Sequence, residues 1–339
     1  MFFLSEDERR YLFRRLLPEA RTIGVHEEFR GWSWAGIDQP LRPTYSPLLD
    51  VPEVASSRCE SGRDVYVRRV LGEGWIDGEG PLRQAALAWV EGAKRVLYSA
   101  PLSGELVADL PRLLVPDRRL FGRSCRREVV ALWRFETVRL AAAVQDVLSR
   151  HPDIGVDGLV AQVLPVIVSP RVDGQFLGLS RDSSIDAFLF EQGMVLRLSF
   201  GSRHESDRLI TTGYALALES VYEAPVNLGC VAYVEVRGDH VAIERDFHFI
   251  DDELRARFIE ERDRKQRLVQ EELDPGLPAA CWPACPHLAF CAPALASMSV
   301  AGPRTGRAAA RRRPVSANRP PDMPAVDYVA PHAGPIGAG

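Results

Sequence analysis

The sequence is short of several residue types, and each shortage excludes a class of protein. Among its 42 basic residues only Lys94 and Lys265 are lysines, which leaves few candidates for a mechanism that needs a catalytic lysine. Aromatic residues make up 8% of the 339 residues, and no stretch approaches the roughly 20 apolar residues of a membrane-spanning helix. The apolar start, residues 1–4, is too short for a signal peptide. We therefore expect a cytoplasmic protein with no membrane partner.

The composition is otherwise that of a folded protein, with 46% hydrophobic and 26% charged residues and a formal net charge of −4. A mildly acidic chain has no overall attraction to nucleic acid, although a local arginine-lined groove can still bind phosphates. From residue 294 the sequence consists mainly of alanine, proline, glycine and arginine. Such a segment cannot bury a core, so residues 294–339 are predicted to be disordered.

The hydrophobic patterns predict an α/β fold. Ser5 and Glu8 form a capping-box pattern at the start of a first helix, which Pro18 is expected to end. The order that follows is helix, three strands, helix, two strands, helix, which indicates a layered α/β arrangement. The predicted helices are 80–98, 105–113, 127–150, 205–222 and 251–273, and the predicted strands are 159–168, 176–190, 194–200, 229–236 and 240–247.

These patterns divide the chain into four regions. Residues 1–125 form a helical and irregular N-terminal region, and residues 126–250 form an α/β core. Residues 251–293 hold a long charged helix and a cysteine-rich segment, and residues 294–339 are the tail.

Six cysteines are too few and too unevenly spaced for a disulfide framework. Cys281, Cys285 and Cys291 stand within eleven residues, on a segment interrupted by proline. Zinc sites prefer paired cysteines, whereas three close thiols with one distant thiol are more typical of iron–sulfur ligation. Cys59 lies in a polar segment near the other end of the chain and is the natural fourth ligand.

The remaining cysteines suit this role less. Cys230 lies in an apolar strand and Cys125 precedes a helix beside arginines. Three alternatives stay open, namely zinc in place of iron, His287 in place of one thiolate, and unrelated thiols.

Glu136 falls in the middle of the apolar face of the predicted helix 127–150. The helix carries this carboxylate inward, where burial is costly unless a cation or hydrogen-bond donors meet it. An ion pair with a nearby arginine is the structural interpretation, and a place in a metal site is the functional one.

Taken together, these residues resemble the RecB-like CRISPR-associated exonucleases with a four-cysteine cluster, and within them the variant of Type I-A systems. The likeness covers about residues 1–293 and includes the early and late cysteines. Its most specific parts are Asp186 and the segments 177–180, 213–219 and 251–255. The residues after the first cysteine, Arg63, Tyr66, Arg68 and Arg69, also fit it.

The resemblance implies a PD-(D/E)xK nuclease core with a helical, iron–sulfur-bound cap. It implies a 4Fe–4S cluster, in preference to 2Fe–2S, held by Cys59, Cys281, Cys285 and Cys291. The implied activity is that of a metal-dependent DNA exonuclease, a hydrolase that uses Mg²⁺ or Mn²⁺. Such enzymes process single-stranded DNA ends before integration during CRISPR spacer acquisition, a part of antiviral defence. The implied partners are the CRISPR integrase and other adaptation proteins.

Three residues are carried over as catalytic candidates. Asp186 matches the family's first metal-binding aspartate, and Glu136 stands where the family has a histidine or an acid that contributes to the metal site. Asp186 and Glu136 are therefore the implied metal ligands. Tyr214 matches the tyrosine of the family's Q-x-x-x-Y motif, in which Ile210 replaces the glutamine.

The main departure from the family pattern lies in the predicted strand 194–200. The family pattern places a glutamate and, two residues later, a lysine where this chain has Arg197 and Ser199. An arginine removes a metal ligand but strengthens phosphate binding. A migrated carboxylate could come from Glu191, Glu205 or Asp207.

Three functions therefore remain open at the level of the sequence. The first is an active metal-dependent DNA exonuclease. The second is a catalytically weakened subunit that binds DNA ends and assembles with the spacer integration complex. The third is a zinc-stabilised binding module unrelated to nucleases.

Overall fold

The structure, a computed structural model, contains a mixed sheet with helices on both of its faces. It describes residues 1–36, 39–56, 59–73, 80–99, 104–116, 126–279, 281, 285, 287, 288, 290, 291 and 326–328. Within these ranges, no helix has the length and apolar character needed to cross a membrane.

Ten α-helices and eight strands are found in the described residues. The helices are α1 (Glu6–Tyr11), α2 (Leu17–Thr22), α3 (Val51–Ala55), α4 (Arg63–Arg69), α5 (Gly80–Ser99), α6 (Gly104–Leu113), α7 (Arg126–Arg150), α8 (Val156–Val163), α9 (Ser206–Tyr222) and α10 (Asp252–Gln270). The strands are β1 (Ile167–Val168), β2 (Arg171–Val172), β3 (Ser183–Ser184), β4 (Ala187–Leu189), β5 (Met194–Ser199), β6 (Leu228–Arg237), β7 (His240–Phe249) and β8 (Val326–Tyr328).

The main sheet has the order β1-β4-β5-β6-β7-β8. Its neighbours are antiparallel except β5 and β6, which are parallel and are connected through α9. Strands β2 and β3 form a separate two-stranded antiparallel sheet. Of the tail predicted to be disordered, the structure describes only β8, which pairs with residues 241–243 of β7, and the rest lies outside the described residues.

Two hydrophobic clusters lie on the two faces of the main sheet. Leu196 and Leu198 of β5 belong to the cluster that includes α5, α6, α7 and α8. Val195 belongs to the other cluster, which includes α3, α9 and α10. Because side chains alternate along a strand, Arg197 lies on the α9 face of the sheet together with Val195.

The first helical segment does not end at Pro18, as the sequence predicts, but continues to Thr22. A π-helical turn over Leu12–Leu16 interrupts it, and the N–H of Leu17 donates to the carbonyl of Leu12. Pro18 follows directly in the first turn of α2, and it has no N–H to donate to a carbonyl of the preceding turn. The capping box of Ser5 and Glu8 is confirmed.

Two of the predicted strands are wrong. Residues 159–168 start within helix α8 and become a strand only at β1, because a short run of buried Val and Leu fits either structure. Residues 176–190 contain only the short strands β3 and β4. A 3₁₀ turn over Gln175–Leu177 and a left-handed Gly178 (φ 71°) replace the start of the predicted strand. The other predicted helices and strands are confirmed within a few residues.

Helix α10 is highly polar, yet one of its faces is buried. Lys265 donates to the carbonyls of Glu53, Val54 and Ser56 at the end of α3. Arg262 and Gln266 donate to backbone carbonyls of residues 40, 41, 47, 177 and 178. Buried carbonyls need donors, and these three side chains supply them. Helix α10 therefore fixes segment 39–56 by these hydrogen bonds in addition to the apolar packing of Phe258 and Ile259.

A buried ion pair joins α9 to α10. Arg255 donates to both carboxylate oxygens of Glu219, at 2.7 and 2.9 Å, and both side chains are fully buried. Glu219 also accepts from the Arg30 guanidinium and from the backbone N–H groups of Gly31 and Val226. Glu219 and Arg255 belong to segments 213–219 and 251–255, so these two sequence motifs hold the fold together at this point.

The stability of the protein is expected to depend on pH, because the imidazole of His248 is buried. Its Nε2 lies 2.8 Å from the Thr211 hydroxyl, and burial lowers the pKa of His248 to about 4. The unfolded chain takes up this proton below a pH of about 6.5, whereas the folded protein resists it. We therefore expect stability to fall as the pH drops from about 6.5 towards 4, with a loss of roughly 2 kcal/mol at pH 5.

Urea denaturation of the wild type and of His248→Asn at pH 7 and pH 5 measures this effect. The variant is expected to lose less stability between the two pH values than the wild type does. The exposed His26 provides the control, and His26→Asn should keep the wild-type difference. Equal pH dependence in all three proteins would contradict the prediction.

Candidate functional site

Asp186 is fully buried immediately before β4, and both of its carboxylate oxygens have partners. Oδ1 accepts from Nε of Arg83 at 2.7 Å and also from Nη2 of that residue. Oδ2 accepts from the N–H of Leu198 at 2.7 Å and from Nη1 of Arg197 at 3.3 Å. Asp186 stands one residue beyond the pair Ala187–Leu196 in the antiparallel register, which places it opposite Arg197. The two residues that the sequence singled out in neighbouring strands are thus brought together.

A cavity of about 380 Å³ opens beside this cluster. Its wall includes Arg83 of α5, Asp64 and Arg68 of α4, and Asp207 and Tyr214 of α9. The other polar residues of the wall are three more carboxylates and four serines, namely Asp50, Glu53, Asp182, Ser56, Ser183, Ser184 and Ser206. The cavity therefore combines guanidinium, carboxylate and hydroxyl groups.

Tyr214 of α9 lines the cavity beside the Asp186 cluster. It is buried, and burial is the main cause that raises the pKa of its hydroxyl, with the negative charge of Asp186 acting in the same direction. Ile210, which replaces the expected glutamine, lines the same cavity. Tyr214 stays protonated at neutral pH and can serve as a hydrogen-bond donor.

Of the three possible migrated carboxylates, only Asp207 is at the cavity. It is buried in the first turn of α9, and burial raises its pKa while the positive charge of Arg197 lowers it. Glu205 is exposed and pairs with Arg257, and Glu191 is exposed in the turn between β4 and β5.

Glu136 lies on the opposite face of the sheet from Asp186. It is fully buried on α7, among the residues of the cluster that contains Leu196 and Leu198, and it forms an ion pair with the amino group of Met1. The structure therefore does not bring Glu136 to Asp186.

The chain's two lysines are engaged elsewhere. Nζ of Lys94 donates to the carbonyl of Val166 at 2.6 Å, and Lys265 binds the end of α3. Ser199 ends β5 and is partly exposed. The chemistry of a Glu-x-Lys pair is thus not rebuilt around Asp186 by residues from elsewhere in the described chain.

The donors around Asp186 do not fit a divalent cation. Mg²⁺ and Mn²⁺ need several oxygen ligands, whereas Asp186 is bound by two guanidinium groups and one amide N–H. In the part of the chain that the structure describes, no group of three or more His, Cys, Asp or Glu residues is arranged to hold a metal ion. The cluster is an internal ion-pair cluster, in which the Asp186 carboxylate is itself the anion that the two arginines bind.

The cysteines implied as cluster ligands lie near enough to influence one another's charge. Burial raises the pKa of Cys285 and of Cys291, and the charges of Cys59 and Cys281 raise both pKa values further. All four thiols are free of disulfides. Four thiols have the donor chemistry of iron–sulfur ligation, although the described residues do not converge into a metal-binding arrangement.

The structure describes two of the three other candidate ligands, Cys230 and His287. Cys230 is buried in β6, as predicted for a core residue, and Cys125 lies outside the described residues. His287 is buried and interacts with the charges of Asp64 and Arg68. The cysteine segment therefore contacts α4, the helix that also supplies one wall of the cavity.

Comparison with known proteins identifies the family to which this chain belongs. Residues 1–294 match the model of the family described as CRISPR-associated exonuclease Csa1. The chain is 29% identical over 309 residues to the CRISPR-associated exonuclease Csa1 of Saccharolobus solfataricus, which covers 86% of this chain and 100% of the relative. It is also 29% identical over 286 residues to that of Thermoproteus tenax, covering 83% and 96%. No solved structure matches. The chain belongs to the Csa1 family of CRISPR-associated exonucleases.

Proposed function

We propose that this protein binds DNA ends during CRISPR spacer acquisition and assembles there with the integrase and other adaptation proteins. Membership of a family described as CRISPR-associated exonucleases supports a role on DNA. The resemblance to the RecB-like proteins of Type I-A systems supports the place in adaptation.

The observation that carries the proposal is the position of two arginines on Asp186. Guanidinium groups form paired, charge-assisted hydrogen bonds with phosphate. Arg83 lines the cavity beside Asp186 but is already paired with it, and five carboxylates share the wall, so a DNA phosphate can reach this guanidinium only in exchange for the Asp186 carboxylate. This arrangement favours binding of a DNA end over its hydrolysis.

We further propose that β4, β5, β6 and α9 are a PD-(D/E)xK core. Asp186 then occupies the position of the metal-binding aspartate, and Arg197 and Ser199 occupy the positions of the glutamate and the lysine. The parallel pair β5–β6 with α9 between them supports this assignment. In this scheme α3, α4 and the cysteine segment form the cap.

Metal-dependent trimming of DNA ends is the second candidate function. The description of the family as exonucleases favours it, and so do Asp64 and Asp207 in the wall of the cavity. It requires Arg83 to leave Asp186, because the donors now present do not fit Mg²⁺ or Mn²⁺.

Binding and cleavage assays on one substrate distinguish the two functions. We expect a labelled single-stranded oligonucleotide to bind in EDTA and to stay intact after excess protein and Mg²⁺ or Mn²⁺ are added. Cleavage that needs the metal and is lost in Asp186→Asn would support the trimming function instead. A protein that binds no DNA under any of these conditions would contradict both.

We also propose that Cys59, Cys281, Cys285 and Cys291 hold a 4Fe–4S cluster that braces the cap. The electrostatic influence of Cys59 and Cys281 on Cys285 and Cys291 supports this proposal. When bound, such a cluster joins the segment before α4 to the segment after α10.

Loss of one of these thiols should remove the cluster and destabilise the cap. Anaerobic purification of Cys59→Ser is expected to give a colourless protein with a lower melting temperature, because an incomplete ligand set cannot organise the segment. Cys125→Ser is the control and should keep the colour and iron content of the wild type. A colourless, zinc-loaded wild type would replace iron–sulfur by zinc, and a brown Cys59→Ser protein would remove Cys59 as a ligand.

A further inference from the structure

We propose that an arginine stripe on the first helical segment binds the backbone of single-stranded DNA, on a surface separate from the cavity. The arginine stripe consists of Arg9, Arg14 and Arg21, and Phe13 lies between the first two in the sequence. This inference rests on the proposed function and deepens it, because it names a surface along which the DNA strand lies.

The segment 9–21 is strongly basic in a protein whose formal net charge is −4. It contains five arginines and a single acidic residue, Glu19. Arg10 pairs with two acids of α1 and Arg15 pairs with Glu19. In the part of the chain that the structure describes, the three arginines of the stripe form no ion pair. Their charge is therefore not neutralised by a neighbouring carboxylate.

The surrounding surface keeps an excess of positive charge. Over residues 6–22 the exposed charged side chains are five arginines and three acids. The fourth acid of this range, Glu8, is buried and paired with Arg245. Exposed ion pairs are weak, so Arg10 and Arg15 can also exchange their carboxylate partners for phosphate. A surface with this balance of charge fits a polyanion.

The fold directs the arginine stripe toward solvent. The residues at every fourth position from Glu8 to Ala20 are buried, and three of them, Leu12, Leu16 and Ala20, belong to the hydrophobic cluster that includes α5–α8. This side of the segment therefore faces the body of the protein. The arginines stand between these positions and are exposed.

The π-helical turn over Leu12–Leu16 adds an aromatic ring to the stripe. The Phe13 side chain lies in this turn and is 50% exposed. Arg9 precedes it by about one turn, and side chains one turn apart on a helix are neighbours. Turns of the π type are frequent at functional sites. An exposed ring beside unpaired arginines therefore forms a second part of the same surface.

This combination of groups suits a single strand better than a duplex. Proteins that bind single strands use basic residues for the phosphates and aromatic side chains on which the bases stack. The guanidinium groups of the stripe bind phosphate oxygens by charge-assisted hydrogen bonds. The Phe13 ring gives an unpaired base a flat apolar face, and a base inside a duplex cannot reach it.

The arginine stripe is distinct from the cavity beside Asp186. Among the described residues of the cavity wall, none precedes Asp50. Helices α3 and α9, which supply much of that wall, pack in the other hydrophobic cluster. Variants of the stripe should therefore leave the ion-pair cluster at Asp186 unchanged.

The first test measures the affinity for a labelled oligothymidylate in EDTA over a range of KCl concentrations. The variant Arg9→Gln with Arg14→Gln and Arg21→Gln is expected to bind at least about tenfold more weakly than the wild type at low salt. Its plot of log affinity against log salt should be shallower by about 2, because each phosphate contact to a single strand contributes about 0.7. The melting temperature should stay that of the wild type, since all three positions are exposed.

The matched control removes the same charge from other exposed positions. It combines Arg95→Gln of α5, Arg112→Gln of α6 and Arg150→Gln of α7. This variant should keep the slope of the wild type and bind within about threefold of it. An equal loss in both triple variants would show that only the net charge matters, and would overturn the assignment of the stripe.

The second test concerns the aromatic ring. Phe13→Ala is expected to bind oligothymidylate about tenfold more weakly with an unchanged salt slope, because base stacking releases no counterions. Phe13→Trp should bind as the wild type does. Polyglutamate, which has charge but no bases, should displace the labelled strand less well than unlabelled oligothymidylate.

The outcomes separate this inference from the proposed function. Wild-type affinity and slope in the stripe variant would reject this surface and leave DNA binding elsewhere on the protein intact. Unchanged binding by Phe13→Ala, together with efficient displacement by polyglutamate, would assign the stripe to an acidic protein partner and overturn the choice of single-stranded DNA. A wild type that binds no oligothymidylate at any salt concentration would refute both the inference and the proposed function.

Discussion

Replacement of Glu219 by alanine is expected to lower the free energy of unfolding by about 4 kcal/mol, enough to unfold much of the protein. Glu219 accepts hydrogen bonds from Arg255, from Arg30 and from two backbone N–H groups, and it is fully buried. The alanine variant would leave two guanidinium groups inside the protein without their carboxylate. The cost of such uncompensated charges is far larger than the net value of the ion pair itself.

Urea denaturation followed by circular dichroism measures this loss. The matched control is Glu205→Ala, which breaks the exposed pair of Glu205 with Arg257 and should change the stability by less than about 1 kcal/mol. The double variant Glu219→Ala with Arg255→Met should regain part of the loss, because one buried charge is removed together with its partner. A Glu219→Ala protein within about 1 kcal/mol of the wild type would refute this account of the network.

The parts of the fold that the sequence predicted well are long and strongly patterned. Helices α7 and α9 and strands β5, β6 and β7 follow the apolar periodicity of their segments closely. The prediction failed where the apolar run is short, as in residues 159–168, and where the backbone leaves regular structure, as around Gly178. In both places tertiary contacts, rather than local pattern, select the conformation.

The sequence predicted only part of the candidate site, because some contacts of the site depend on tertiary packing. Asp186 and Arg197 lie in neighbouring strands of one hairpin, so the strand register alone brings them together. No sequence pattern indicated Arg83 as a residue of the site, because its contact with Asp186 depends on how α5 packs against the sheet. The position of Glu136 on the apolar face of helix 127–150 correctly predicted that its side chain is buried. The sequence could not show that the amino group of Met1 lies beside it.

Helix α10 shows a further limit of periodicity. Its charged composition predicts a solvated helix, whereas Arg262, Lys265 and Gln266 are buried. Their partners are backbone carbonyls of an irregular segment more than 80 residues away. A hydrogen-bonding pattern of this kind has no counterpart in the local sequence, so only the structure shows it.

Asp186→Ala is expected to cost about 4 kcal/mol of stability as well, whatever its effect on DNA. Removal of this carboxylate leaves Arg197 buried at 1% exposure and leaves Arg83 without its partner at the edge of the cavity. The double variant Asp186→Ala with Arg197→Leu should recover part of the loss, since the buried charge then disappears with its counter-charge. Urea denaturation of the two single variants and the double variant measures the coupling directly.

This expectation changes how a loss of activity in Asp186→Ala must be interpreted. A protein that is partly unfolded loses DNA binding and any cleavage together, so the alanine variant cannot show whether Asp186 holds a metal. Asp186→Asn keeps the shape of the side chain and one acceptor oxygen for the N–H of Leu198. If Asp186→Ala instead proves as stable as the wild type, the two arginines do not depend on this carboxylate. The structural role assigned to the ion-pair cluster would then be wrong.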